Sequence, residues 1–256
     1  MAVLTCPKPD ADHAPGLERL TRIELRKSTD TRAGFWLLAL VALAGVAIMF
    51  VALYVGDDVK NREDIFAASQ VGVAVLLPVV GILAVTGEWS QRTALTTFAL
   101  VPRRSRVLTA KLSAGVCLAV AAVAVGSLGS VLVAGVGELS GHLDGGWGVD
   151  NRMLASVTLM AVVGVVMGVA FGMAFLNSPL AIVLYFVIPT VWSALSGTIS
   201  ALDGVADWLD TARTTEPMYE PGITAREWAR FGTSTALWVG VPLLAGWFRV
   251  LRTEVK

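Results

Sequence analysis

Residues able to do chemistry are few and scattered in this chain. The two histidines are His13, in the N-terminal tail, and His142, in a connection between apolar runs. The two cysteines are Cys6, also in the tail, and Cys117, inside an apolar run. They form neither a CxxC metal site nor a credible disulfide, and Cys117 reads as a small membrane-buried hydrophobe. No nucleophile, base and orienting group converge, so no catalytic, metal or cofactor site is expected. No GxxxxGK[ST] loop is present, so the chain is not expected to hold ATP that way. Gly141, Gly145, Gly146 and Gly148 follow no strand and read as an external turn. Charge is what remains: basic clusters at Arg19, Arg22 and Arg26 and at Arg103, Arg104 and Arg106. Such clusters suit phosphate headgroups or a protein partner.

The elements positioning these charges are apolar. Hydrophobic residues make up 55% of the 256 and charged residues only 16%. Mean hydropathy is +0.69. A soluble fold could not cover itself with so little charge, which excludes a soluble globular enzyme. Six runs are long enough to cross a bilayer: Phe35 to Val55, Phe66 to Thr86, Leu112 to Val136, Met153 to Leu176, Leu180 to Ala201 and Phe231 to Phe248. They are continuous rather than alternating, so the expected fold is an all-α integral membrane domain of six helices. Met1 to Gly34 has no apolar h-region, so no cleavable signal peptide is expected.

Lysine and arginine placement orients the spans. The termini and the 87–111 and 177–179 connections carry 14 basic residues, the other side 6. The first set is therefore expected on the cytoplasmic side of the plasma membrane. Trp36, Trp89 and Trp247 fall near that interface, and Trp147, Trp208 and Trp228 near the other. Trp192 and Trp238 lie inside spans. The formal net charge of zero divides into +7 on the inner side and −7 on the outer.

None of the six runs contains Asp, Glu, Lys, Arg or His. That argues against proton relays and buried counter-ions, and places any energy input outside the membrane. Leu17 to Arg32 reads as an amphipathic helix. Arg19, Arg22 and Arg26 form one stripe, and Leu17, Leu20, Thr21 and Leu25 lie opposite. Glu24 projects from the apolar side and needs either a partner or a place at its edge. The connection GEWSQRTALTTFALVPRRSRVLTAK (87–111) offers a Glu88–Arg92 i, i+4 pair. It also carries apolar Trp89, Leu95, Phe98 and Ala99, then Pro102 as a helix end. A loop that keeps these groups suggests docking to a membrane or a protein.

These residues resemble a family. The N-terminal amphipathic helix, the six spans and the G-E-x-x-x-R-T…P-R-R-x-R…A-K loop look like a permease subunit of the type-two exporter family of ATP-binding-cassette (ABC) transporters. The resemblance covers Leu17 to Phe248. It implies an elbow helix at the inner leaflet, with Arg19, Arg22 and Arg26 of that helix and Arg103, Arg104 and Arg106 of the loop as inner-leaflet anchors. It implies a coupling helix that docks a separate ATPase through Glu88, Trp89, Arg92, Thr93, Leu95 and Phe98, with Arg103, Arg104 and Lys111 leading back into the membrane. ATP and Mg would sit on that partner. The implied assembly is two permeases, identical or related, with two ATPases.

Gly164, Gly168 and Gly172 form GxxxGxxxG, which suits packing inside one bundle or a dimer seam. Pro78, Pro179, Pro189 and Pro242 interrupt spans two, five and six. Thr190, Trp192, Ser193, Ser196 and Thr198, with Gln70, suit a substrate path or interhelical hydrogen bonds. Leu202 to Arg230 is acidic, and Ala206, Trp208 and Leu209 suggest a short surface helix there. The expected function is outward movement of an apolar or amphipathic substrate (a drug, peptide, lipid or glycolipid). Two other classes remain: a non-transporting sensor, immunity or scaffold protein, and a sodium-coupled carrier. Nothing points to nucleic acid.

Overall fold

The computed structural model describes residues 16–55, 61–143 and 146–253. Cys6, Lys8, His13, Lys60, Gly145, Glu254 and Lys256 lie outside them. The described residues are helical in α1 (Leu17–Asp30), α2 (Arg32–Tyr54), α3 (Arg62–Ser90), α4 (Ala94–Leu100), α5 (Arg104–Leu139), α6 (Asn151–Phe175), α7 (Ser178–Thr198), α8 (Asp203–Leu209), α9 (Thr211–Thr215), α10 (Ala225–Thr235) and α11 (Val241–Arg252). Five of these, and the continuous run Ala225–Arg252, are long and apolar enough to cross a membrane. The architecture is that of a multi-pass membrane protein.

The helices outrun the apolar segments that announce them. The third apolar run starts at Leu112, but its helix starts at Arg104 and holds 36 residues. Backbone hydrogen bonding does not stop where hydrophobicity does, and caps decide the ends instead. Asn61 and Asp64 form a capping box at the start of α3, and Thr224 and Glu227 form another at α10. Asp150 and Asn177 cap α6 and α7.

Helices α3 and α6 make the centre, flanked by α2 and α5 on one side and α7 and α11 on the other. Their core joins Val41, Phe66, Val73, Leu77, Val80, Ala119, Val123, Val157 and Val165. Small residues bring α3 and α6 together. A Cβ on Gly168 would meet the Pro78 carbonyl oxygen at 2.2 Å, and one on Gly81 the Val165 oxygen at 2.7 Å. Gly172 lies against Ile82, and Gly164 against the Pro78 ring. All three glycines of the GxxxGxxxG run therefore pack inside this bundle.

Proline shapes the last span. Pro242 lacks an N–H, so the carbonyl four residues earlier, Trp238, loses its helical donor. The backbone answers with a π segment, Ala236–Gly240, between α10 and α11. Trp238 sits in it and donates its indole N–H to the Leu209 carbonyl at 2.6 Å.

On the face opposite the termini, residues 200–220 fold over the bundle. Asp210 is buried and accepts from Ser193 Oγ at 2.8 Å, Ser196 Oγ at 3.1 Å and its own Ala212 N–H at 2.8 Å. Ser156 donates to the Met218 carbonyl at 2.6 Å, with Met218 fully buried. Arg213 pairs with Asp203 and Asp207, and Arg230 with Asp207. The segment is thus fastened to α6, α7 and α10.

Candidate functional site: the face carrying the N-terminal helix

Helix α1 does not lie with all its apolar residues turned outward. Leu20 and Glu24 are buried, facing α5, while Leu17 and Ile23 are exposed. Arg19, Arg22 and Arg26 form the exposed stripe, with Arg22 paired to Glu18 on the surface.

Glu24 has the partners its position demanded. Lys111 Nζ donates to Glu24 Oε2 and to the Ala84 carbonyl, both at 2.7 Å, and pairs with Glu88 Oε1 at 3.1 Å. Lys27 Nζ joins the same two carboxylates at 2.7 and 2.8 Å. Two cations and two anions from α1, α3 and α5 form one neutral cluster. Lys111 is 3% exposed there. Burial pulls Lys27 down, but hydrogen bonds and proximity to Glu24 and Glu88 outweigh it and hold its ammonium above the ordinary 10.5. A raised folded value means this contribution is complete below pH 10.5 and is lost as pH climbs through the folded value.

This cluster corrects two expectations. Buried counter-ions do exist, just outside the apolar runs and inside helices that continue past them. Glu88 is turned inward, with its side chain 12% exposed. It is held by Lys27 and Lys111, and no i, i+4 pair with Arg92 forms. Helix α3 stops at Ser90, because Arg92 takes the left-handed conformation at φ 56°. Arg92 N–H bonds the Trp89 carbonyl and Thr93 N–H bonds the Glu88 carbonyl, a Schellman turn with arginine where glycine is usual. A side chain in that conformation costs about 1–2 kcal/mol. Arg92→Gly is therefore expected to stabilise the chain by about 1 kcal/mol. Denaturant or thermal unfolding in detergent measures it, and an unchanged or lower stability would remove the strain.

Beyond the turn, α4 is only seven residues long. It sits on an apolar bed. Trp89 and Phe98 pack against Val85, Leu108, Met173 and Val250, and their rings are 6.4 Å apart. They brace the segment from behind and do not present themselves outward. Arg104 is likewise committed inward. It covers the Phe98 ring at 4.9 Å and donates to the Val250 and Thr253 carbonyls at 2.8 and 2.7 Å, closing the end of α11. Arg92, Thr93, Leu95 and Arg103 remain exposed, joined by Leu100 at 75%, and Arg106 is half-buried. Leu100 was legible as an apolar residue before Pro102, yet nothing in the sequence told it apart from Phe98.

The residues grouped as a substrate path separate. Gln70 and Thr190 line a cavity of about 610 Å3 between α3, α6 and α7. Gln70 Nε2 is turned to Ser69 Oγ, beside Gly126 of α5. Its Oε1 is buried without a partner among the described residues. Ser193 and Ser196 do not line the cavity, because their hydroxyls hold Asp210. Trp192 does not line it either, and its Nε1 is buried with no partner among the described residues. Among the described residues, no cluster of His, Cys, Asp and Glu could hold a metal.

No family model matches this chain, and no curated protein matches its sequence.

Proposed function

We propose that the chain is the membrane-spanning subunit of an ATP-driven exporter, of the kind the type-two ABC permeases exemplify. The observation that carries this reading is the segment from Arg92 to Arg103. A short helix is set against the bundle, with Trp89, Phe98 and Arg104 spent on holding it. Leu95 and Leu100 are left exposed between Arg92 and Arg103. A connection with no partner has no use for such a device, since exposed leucines on a short, isolated helix gain nothing in water.

In this reading the face bearing the termini is cytoplasmic, by its excess of Lys and Arg. The segment 92–103 seats in a separate ATPase that carries ATP and Mg. Helix α1 is the elbow, with Arg19, Arg22 and Arg26 toward lipid phosphates. The neutral Glu24–Lys27–Glu88–Lys111 cluster ties the elbow to the two helices flanking the docking segment. A push on α4 therefore reaches α3 and α5 as a rigid body. The apolar span interiors suit an apolar or amphipathic substrate, moved outward between two permease copies.

The test is co-purification of the complex. Leu95→Asp with Leu100→Asp should abolish co-purification of an ATPase with the tagged chain from its own cells, while the chain itself stays folded, because both side chains are exposed. Leu95 contacts in a docked state are worth about 1.5–3 kcal/mol each if fully covered. Normal capture and normal transport by the double variant would sink the docking assignment.

A further inference from the structure

The cavity between α3, α6 and α7 has a shape and a chemistry that single out one class of ligand. At the face bearing the termini its two edges are joined. Ser178, at the start of α7, donates to Thr86 Oγ1 of α3 at 2.7 Å and lies 3.4 Å from Ser90 Oγ. At the opposite face Thr211, Thr215 and Tyr219 cover it. That cover is held down by Asp210 and Met218. Entry is then sideways, between α3 and α7, where Ala74 and Thr190 are exposed. Along α6 the cavity runs from Met153 to Met167, which is about 21 Å at 1.5 Å per residue. Its volume of about 610 Å3 falls within the usual range for small-molecule sites.

The wall contains no Asp, Glu, Lys, Arg or His, so a charged head would be desolvated with nothing opposite it. Several of its polar groups are acceptors left without a donor. Pro78 has no N–H, which leaves the Ala74 carbonyl without its helical donor, and Pro189 does the same to Tyr185. Both residues line the cavity. Thr190 and Thr215 line it too, and each already donates its hydroxyl proton, to Phe186 and Thr211 carbonyls at 2.7 Å. Acceptors that lack or have spent a proton thus come to the lining from α3, α7 and α9, and Gln70 Oε1 on the same lining is buried without a partner among the described residues, while the Tyr185 and Tyr219 hydroxyls can donate as well as accept. In hydrocarbon such acceptors favour whatever brings donors. Burial pushes the Tyr219 phenol up, so it stays neutral.

We infer that this cavity binds a neutral, single-chain amphiphile whose head carries hydrogen-bond donors (hydroxyl or amide N–H), entering laterally from the leaflet at the 202–220 face. Carboxylate and phosphate heads are excluded. The inference does not depend on an ATPase partner, because it concerns this chain alone.

Equilibrium binding of three probes with one acyl chain tests it, on the purified full chain in detergent at pH 9. The probes are 1-monooleoylglycerol, with two hydroxyls, oleate, with a charge, and methyl oleate, with no donor. Monooleoylglycerol should bind saturably, one per chain, at least about tenfold tighter than the other two, the equivalent of about 1.4 kcal/mol. Ala74→Trp, at the exposed mouth, should weaken it at least about tenfold. Pro189→Ala restores a donor to Tyr185 without filling the cavity, and should narrow the preference over methyl oleate while leaving capacity unchanged. Equal binding of the three probes would overturn the donor argument. Unchanged binding by a folded Ala74→Trp variant would place the site elsewhere. If that variant does not fold, an unaltered preference in Pro189→Ala overturns the proposal by itself. Failure here leaves the docking test standing, and the reverse holds.

Discussion

Lys111→Met is expected to destabilise the protein by about 3–5 kcal/mol, the penalty for leaving a buried charge unpaired. The variant keeps the volume of the side chain and removes only its ammonium. Glu24 and Glu88 then share a single cation, Lys27, whose side chain is 41% exposed. The Ala84 carbonyl also loses its donor. Relief comes by protonating a carboxylate or by releasing α1 from α5. Trypsin reads the second outcome, since Arg22 and Arg26 should become cleavable faster than in the parent. Thermal unfolding in detergent reads the total. The decisive control is Lys111→Met with Glu24→Gln, which restores one cation to one anion and should recover most of the loss. If the single variant is as stable as the parent, the cluster is a surface pair worth little. If the double variant is no better than the single, packing rather than charge explains the effect.

Gly168→Ala should be the most damaging methyl addition along the GxxxGxxxG run. The new Cβ would lie 2.2 Å from the Pro78 oxygen and 2.9 Å from its carbonyl carbon. Neither is a flexible side-chain end, so α3 and α6 must move apart along their central contact. Overpacking of that kind costs about 1–3 kcal/mol and occasionally more. The neighbouring glycines set the scale. Gly172→Ala meets the Ile82 oxygen at 3.0 Å and should be intermediate. Gly164→Ala meets the Pro78 ring carbon at 3.5 Å and the Tyr185 hydroxyl at 3.9 Å, both ordinary contacts, and should be near neutral. Gly197→Ala meets nothing within 4 Å and should gain helix propensity. Unfolding midpoints for the four variants must fall in that order. If Gly168→Ala is as benign as Gly164→Ala, the close α3–α6 approach is wrong.

Several features were readable before the fold was known. Bilayer crossing needs a minimum length of uninterrupted apolar chain, and that is a one-dimensional property. The six runs therefore marked six helices, although their ends ran past the runs. The exposure of Arg19, Arg22 and Arg26 followed from the same logic on a helical wheel. So did the unease about Glu24, a carboxylate on an apolar stripe. The short helix at Asp203–Leu209 lay where alternating acids and apolar residues placed it.

Other features were out of reach. The Glu88–Arg92 spacing is correct for a helical pair, but it works only if the helix continues, and Arg92 ends it. Arginine carries no signal for a left-handed turn as glycine does. Trp89, Leu95 and Phe98 look alike as apolar residues in a polar loop. That two of them brace and one is exposed depends on Leu108, Met173 and Val250, which belong to other helices. Ser193 and Ser196 read as polar groups in a span, and Asp210 lies beyond it, past a turn whose direction no spacing reveals.

Periodicity along one chain says which face of a helix is apolar and where charge is concentrated. It set the number of apolar spans, the uneven distribution of Lys and Arg and the absence of charge within the runs. It is silent about what lies across from each face. Lys111 meets Glu24 across 87 residues of chain, and Lys27 meets Glu88 across 61. The neutral cluster, the inward commitment of Arg104 and the acceptor-lined cavity exist only once helices from distant segments are packed together. Pair energies of charge and hydrogen bonding fall off over a few ångströms, so separation in space alone decides which of them are realised.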